Sequence, residues 1–201
     1  MLNVKNLFFK YNQKSVLENI SFSVDRSKLV YLIGDNGVGK TTLLRVLAGL
    51  LDYDKGKIFI DNKLVDDFAP FFYLGHSFYF HSKLRLNENI KYILNLFGYD
   101  YSLEHINNRL EYFGLFKSRN SYLSNLSQGQ KRKSSLSLLH YFNEKKIWLL
   151  DEPFINLDSV SKENLEILIK KFLSDGGIVI MATHEQFPLE GKKIALKNSH
   201  V

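Results

Sequence analysis

Leu29-Val30-Tyr31-Leu32-Ile33-Gly34-Asp35-Asn36-Gly37-Val38-Gly39-Lys40-Thr41-Thr42 is the stretch that decides the fold. Its five leading apolar residues read as a strand buried on both faces. The turn that follows fits G-x-x-x-x-G-K-[ST]. From Thr41 the apolar positions Leu43, Leu44, Val46 and Leu47 take up a helical pattern, and Gly49 stands where a helix C-terminal glycine belongs. In such a turn the backbone N–H groups of Gly34, Asp35, Asn36, Gly37, Val38 and Gly39 can wrap phosphates at a helix N-terminus. Lys40 is expected to reach the β- and γ-phosphates. The Thr41 hydroxyl is expected to ligate Mg²⁺, with Thr42 completing the phosphate-contacting set. ATP and Mg²⁺ are therefore the expected ligands.

Downstream, Ile147-Trp148-Leu149-Leu150-Asp151-Glu152 reads as a second buried strand that delivers an aspartate to the phosphate end of a sheet. Asp151 is expected to hold the metal shell there. Glu152, one residue on, can polarise the attacking water as a general base. In isolation the pair would read as a strand ending in a solvated acidic turn; the upstream phosphate loop gives it a chemical meaning. Between the two strands lies Leu126-Ser127-Gln128-Gly129-Gln130. By physics alone this is a polar, glycine-containing helix start whose end can bind an anion.

Further strands are expected at Leu2–Phe9, Ile20–Val24 and Ile178–Ala182, and a hairpin at Lys57–Ile60 with Asp61-Asn62. From about Asn87 to His140 the texture is helical, with Ile90, Ile93, Leu94 and Leu96 at helical spacing. Another helix is expected over Lys162–Leu173, closed by Gly176-Gly177. Strands alternating with helices imply a mostly parallel sheet. The expected class is α/β: a P-loop NTPase with a RecA-like core and a small antiparallel β subdomain. An α-helical subdomain is inserted at about residues 85–140, within a single domain spanning residues 1–201.

Composition narrows the possibilities. An apolar share of 45% with 16 Phe and 11 Tyr supplies a large core, so disorder is not expected. With no cysteine, disulfides, thiolate zinc sites and a catalytic thiol are excluded. No run approaches the roughly 18 apolar residues of a membrane span, and Met1-Leu2-Asn3-Val4-Lys5 lacks the basic start and apolar core of a signal peptide. A soluble chain is expected, with any membrane spans supplied by another chain. The net charge of +6 is spread along the sequence, and its densest set, Lys131-Arg132-Lys133, follows the Ser127 loop. Nucleic-acid binding is not expected on that pattern.

Taken together these segments resemble the ABC ATPase family, in order and spacing, over essentially the whole chain. Leu126–Gln130 resembles that family's signature loop L-S-G-G-Q, with Gln128 in place of the first glycine. Asn156-Leu157-Asp158 resembles its D-loop, and Thr183-His184 its switch histidine. Tyr11, six residues before Leu17, sits where the family stacks an aromatic ring on adenine. The resemblance implies a head-to-tail homodimer that sandwiches two ATP. Each phosphate loop would then face the partner's signature loop, with Ser127, Gly129 and Gln130 on the nucleotide. Ser127 and His184 would both contact the γ-phosphate.

Where the family carries a glutamine that contacts Mg²⁺ and touches the transmembrane partner, this chain has Tyr73-Leu74-Gly75-His76-Ser77, with His76 at that position. This segment, Leu84–Asn89 with its Glu88-Asn89, and Trp148 to Phe154 resemble the haem-exporter ATPases of cytochrome c maturation, as does the short length without a C-terminal extension. Ser77 stands where those relatives often place Gln. The resemblance implies a peripheral location on the cytoplasmic face of the inner membrane, or on the equivalent matrix-side face. It also implies an integral membrane permease on a separate chain. His76, His81 and His140 are too scattered to ligate haem, so haem is not expected on this chain. Another small ABC importer or exporter is the alternative; a DNA-maintenance ATPase would need a long coiled coil between Thr41 and Asp151, and no heptads are sustained there. The aromatic stretch Phe71–Phe80 admits two readings, a groove for the partner's coupling helix or subdomain core.

Overall fold

The computed structural model describes residues 1–65, 70–75, 80–184 and 188–197. In chain order its elements are β1 (Leu2–Tyr11), β2 (Lys14–Val24), β3 (Leu29–Ile33), α1 (Lys40–Leu47), β4 (Lys55–Ile60), β5 (Lys63–Leu64), β6 (Phe71–Leu74), α2 (Leu86–Leu96), α3 (Leu103–Tyr112), α4 (Gln128–Ser137), β7 (Ile147–Asp151), α5 (Ser159–Ser174), β8 (Ile178–Ala182) and β9 (Lys192–Ala195). The chain divides into two compact units. One falls within residues 1–75, 145–152 and 171–201; the other falls within residues 76–144 and 153–170.

Among the described residues, the first unit holds every strand. Four form an antiparallel sheet in the order β2-β1-β4-β5, and five form a parallel sheet in the order β6-β7-β8-β3-β9. Strands β7 and β8 are buried at every position, as a parallel strand covered on both faces must be. In β1, by contrast, Leu2 and Val4 alternate with more exposed neighbours, the period-2 pattern of a sheet with one wet face. One core joins the layers: Leu2, Val4, Ile58 and Ile60 of the antiparallel sheet cluster with Leu43 and Leu47 of α1 and with Leu32, Leu149 and Ile180 of the parallel sheet.

Local chemistry sets the boundaries. Asn12 and Gln13 both take positive φ between β1 and β2, and Asp61 and Asn62 do the same between β4 and β5. Two positive-φ residues make the type I′ turn whose twist matches paired strands. Helix α1 ends with Leu50 N–H donating to Arg45 O and Gly49 N–H to Val46 O, with Gly49 at φ 70°. That is a Schellman end, and the positive φ is why glycine stands there. Trp148 stacks on Phe172 with ring centroids 3.8 Å apart, beneath Gly177, where any Cβ would strike the Phe172 ring.

The second unit is helical. Leu86, Ile90, Ile93 and Leu94 of α2, and Ile106 and Leu110 of α3, are buried. Helix α4 is nearly all polar, and Ser134 and Ser135 return their hydroxyls to the carbonyls of Gln130 and Lys131. The Glu88-Asn89 pair has a structural role. Glu88 accepts from the Arg85 N–H at the start of α2, while buried Asn89 accepts from His81 N–H and donates to the carbonyls of His81, Leu84 and Arg85.

The sequence pattern and the structure differ at three strands. β2 begins at Lys14 rather than Ile20, and β6 and β9 were not expected. β2 carries polar residues along its exposed face, β6 has only four residues, and β9 begins with two lysines.

Candidate active site

Strand register assembles the site. Leu32 of β3 is level with Ala182 of β8, and Ala182 is level with Asp151 of β7. Three neighbouring parallel strands therefore release their chain at the same height: the turn Gly34–Gly39 after β3, Glu152 after β7, and Thr183-His184 after β8. The carboxyl ends of such strands are where an open α/β sheet places its ligand. Asn36, Gly37, Gly39, Lys40, Thr41, Thr42, Asp151, Glu152 and His184 line a pocket of about 230 Å³ there.

The turn depends on its glycines. Gly34 (φ 146°), Gly37 (φ 80°) and Gly39 (φ 103°) all occupy the left-handed region. A Cβ at Gly34 would also lie 2.7 Å from Leu196 O and 2.9 Å from a Val38 methyl. Val38 is buried and anchors the loop. The Lys40 ammonium donates to Gly34 O (2.7 Å) and Asp35 O (2.9 Å), so it crosses back over the turn. Lys40 is only 8% exposed, which leaves its charge facing the loop. Thr41 Oγ1 donates to Asp151, at 2.9 Å from Oδ2 and 3.1 Å from Oδ1.

A threonine hydroxyl against a carboxylate is a hard-oxygen pair suited to Mg²⁺. That ion takes few protein ligands when phosphate oxygens complete its shell. Accordingly, no cluster of three His, Cys, Asp or Glu able to cage a metal occurs among the described residues. His76, the third expected metal contact, lies outside the described residues, as do Ser77, Phe78 and Tyr79.

Asp151 is buried and ends its strand; Glu152 then turns to φ 48°, its N–H donating to Ala182 O at 2.8 Å. A positive φ in a non-glycine residue is uncommon, and such strain concentrates at functional sites. It swings the Glu152 side chain to within 3.6 Å of His184 Nε2.

Ser127, Gly129 and Gln130 belong to the second unit. Ser127 caps α4, its Oγ accepting from Gln130 N–H, while Gln130 Oε1 accepts from Ser127 N–H. The Gln130 amide also donates to Ser118 Oγ. The side chain of Gln130 is thus engaged in holding the loop. Gly129 is required by its neighbour, since a Cβ there would lie 2.7 Å from Asn156 O. Lys133 pairs with Asp158 at 3.0 Å, and Arg132 Nε donates to Pro153 O. Asp158 caps α5 by accepting from Ser161 N–H; the Ser161 hydroxyl, this N–H and Lys133 together lower its carboxyl to about 2.

Tyr11 is 42% exposed at the end of β1, its ring edge-on to Phe9. The pattern did not single out Tyr73 or Arg45. The Tyr73 hydroxyl lies 3.5 Å from Asp151 Oδ2; burial pushes its phenol upward, against the opposing pull of the Arg45 charge. The Y-x-G-H spelling was the available signal. Of the aromatic stretch, Phe71, Phe72 and Phe80 are buried, which favours core over groove for these three.

The family model described as ABC transporter matches residues 17–155. A cytochrome c biogenesis ATP-binding export protein, CcmA, from Vibrio vulnificus strain YJ016 is 32% identical over 199 residues, covering 96% of this chain and 97% of that protein. A putative ABC transporter ATP-binding protein from Pyrococcus furiosus superposes with a TM-score of 0.83 at 28% identity, over 97% of this chain and 96% of that one. The ATP-binding cassette MJ0796, solved as a dimer in a post-hydrolysis state with ADP and Pi, gives a TM-score of 0.77 at 26% identity, over 92% of this chain and 88% of that one.

Proposed function

The chain belongs to the ABC transporter family, and from that premise we propose that it binds and hydrolyses ATP to energise haem export in cytochrome c biogenesis. The observation that carries the ATPase reading is the level register of Leu32, Ala182 and Asp151, which gathers phosphate loop, carboxylates and histidine around one pocket. The export assignment comes from the full-length similarity to CcmA.

Catalysis in this reading is positioning plus electrostatics on the γ-phosphoryl group. The N–H groups of the Gly34–Gly39 turn bind the phosphates, and Lys40 gives up its carbonyl partners to pair with them. Thr41 and Asp151 would hold Mg²⁺, which when bound would neutralise phosphate charge. Glu152 polarises the attacking water, and His184, 3.6 Å away, orients it and touches the γ-phosphate. Tyr11 offers its exposed ring to the adenine.

The partner copy's Ser127 completes the site in a head-to-tail dimer. A hydroxyl has one donor and two acceptor lone pairs, so Ser127 can accept from Gln130 N–H while donating to a γ-phosphate. No helix among the described residues is long and apolar enough to cross a membrane. In this reading the chain works from the membrane surface on a separate permease, with the second, helical unit as the inserted subdomain. Haem itself is handled by the partner.

Cells lacking this chain should lose covalently haem-loaded c-type cytochromes. Wild type should restore them and Lys40→Ala should not. Normal cytochromes in the deletion, with Mg²⁺-dependent ATPase intact in the purified protein, would remove the export assignment and leave the ATPase.

A further inference from the structure

Tyr73 stands on β6 level with Leu149 of β7, and Asp151 lies two residues beyond Leu149. Side chains two apart on a strand share a face, so Tyr73, Leu149 and Asp151 all point to one side of the sheet. Thr41 and Arg45 on α1 stand four apart and therefore also share one face of the helix. Two contacts match this geometry: Thr41 donates to Asp151, and the Tyr73 hydroxyl donates to Asp151 Oδ2 at 3.5 Å.

Gly75 makes the reach possible. A Cβ at Gly75 would lie 2.9 Å from the Tyr73 hydroxyl oxygen and 3.0 to 3.1 Å from the adjoining ring carbons. Gly75 is absent from the positive-φ glycines, so the demand is steric rather than conformational. The Tyr73-x-Gly75 spacing is thus one device, a long phenol laid over a missing side chain.

We propose that Tyr73 is a positioning residue for the metal-shell carboxylate. Its hydroxyl, seated over Gly75, fixes Oδ2 of Asp151. This rests on the reading of Asp151 as a Mg²⁺-shell residue. The Thr41 hydroxyl bonds both oxygens, whereas the Tyr73 hydroxyl reaches Oδ2 alone, so the two donors together tell Oδ2 from Oδ1. Such outer partners of metal-holding groups typically matter 10–100-fold. At 3.5 Å the bond is long, so the lower end applies.

The test follows Mn²⁺ binding by electron paramagnetic resonance, with a non-hydrolysable ATP analogue bound to the full chain. Tyr73→Phe keeps the ring and should raise half-saturating Mn²⁺ about tenfold, leaving melting and metal-free nucleotide affinity unchanged. In turnover the loss should disappear at saturating Mg²⁺, a split that a general folding defect would not produce. Gly75→Ala, which keeps the hydroxyl but unseats it, should give the same shift if Tyr73→Phe folds poorly. In an Asp151→Asn background Tyr73→Phe should add nothing further. Mn²⁺ affinity within twofold of wild type in folded Tyr73→Phe or Gly75→Ala overturns the proposal. Undiminished Mn²⁺ binding by Asp151→Asn overturns the Asp151 reading beneath it.

Discussion

Glu152→Gln isolates the chemical step from everything else in the site. The amide is nearly isosteric with the carboxylate, and the backbone strain is unaffected. Both side chains sit at φ 48° on the same N–H bond to Ala182 O. The pair with His184 is lost, but at 3.6 Å with a 54% exposed histidine it contributes at most about 1 kcal/mol. Melting should therefore fall by no more than about 4 °C. The water, by contrast, loses its base. General-base removal costs about 10²–10⁴ in rate, or about 2.7–5.4 kcal/mol of barrier. ATP affinity should hold within about threefold, because Lys40, Thr41 and the turn N–H groups are untouched and supply the binding. Equilibrium binding of labelled ATP and single-turnover phosphate release measure the two halves separately. A slow variant that binds normally should also accumulate as an ATP-trapped dimer on sedimentation. A kcat within about threefold of wild type would mean that Glu152 is not the base.

Two further outcomes follow from the loops of the second unit. Asp158→Ala removes the α5 cap and the Lys133 pair and should cost about 1 kcal/mol at pH 7. The folded carboxyl is lowered to about 2, so its contribution is present above the unfolded value of about 3.9 and is lost as pH falls through about 2; denaturant titrations followed by circular dichroism should show the variant and wild type converging there. Gly129→Ala forces a methyl against Asn156 O, 2.7 Å from the ideal Cβ, and should destabilise by about 1–3 kcal/mol while weakening ATPase through the displaced loop; a variant as stable and active as wild type would refute the close approach.

Legibility followed the kind of signal each residue carried. β3, the phosphate turn and α1 were readable because an apolar run, three glycines and a helical period agree over one short stretch. The two hairpins show the contrast. Asp61-Asn62 announces a type I′ turn by residue type, whereas Asn12-Gln13 makes the same turn with a glutamine at φ 69°, a residue no turn rule favours. The sequence pattern therefore starts β2 only at Ile20. Strands β6 and β9 were illegible for another reason. Each is a four-residue edge of the parallel sheet, and so short a run shows no period. At the site, Lys40, Thr41, Asp151 and Glu152 announced themselves by chemistry. Tyr73 did not, because its contact with Asp151 exists only once β6 is laid beside β7. Glu88-Asn89 looked like part of a functional motif, yet both side chains serve to cap and pin the chain around Arg85.

The departure at Gln128 from the L-S-G-G-Q pattern acquires a physical meaning from the same geometry. The two central positions of that pentapeptide face different demands. Position 129 lies where the backbone of Asn156 approaches within the space of a side chain, and Asn156 is itself held at φ 61°. Only glycine fits there without moving the neighbouring loop. Position 128 is the first helical residue after the Ser127 cap, exposed and without positive φ. Glutamine is a better helix former than glycine by about half a kcal/mol in a helix interior, so the replacement favours the helix whose N-terminus carries Ser127. It leaves the cap, the capping box and the Gly129 contact undisturbed. The substitution thus keeps the residue on which the loop's packing depends and changes the one that faces outward.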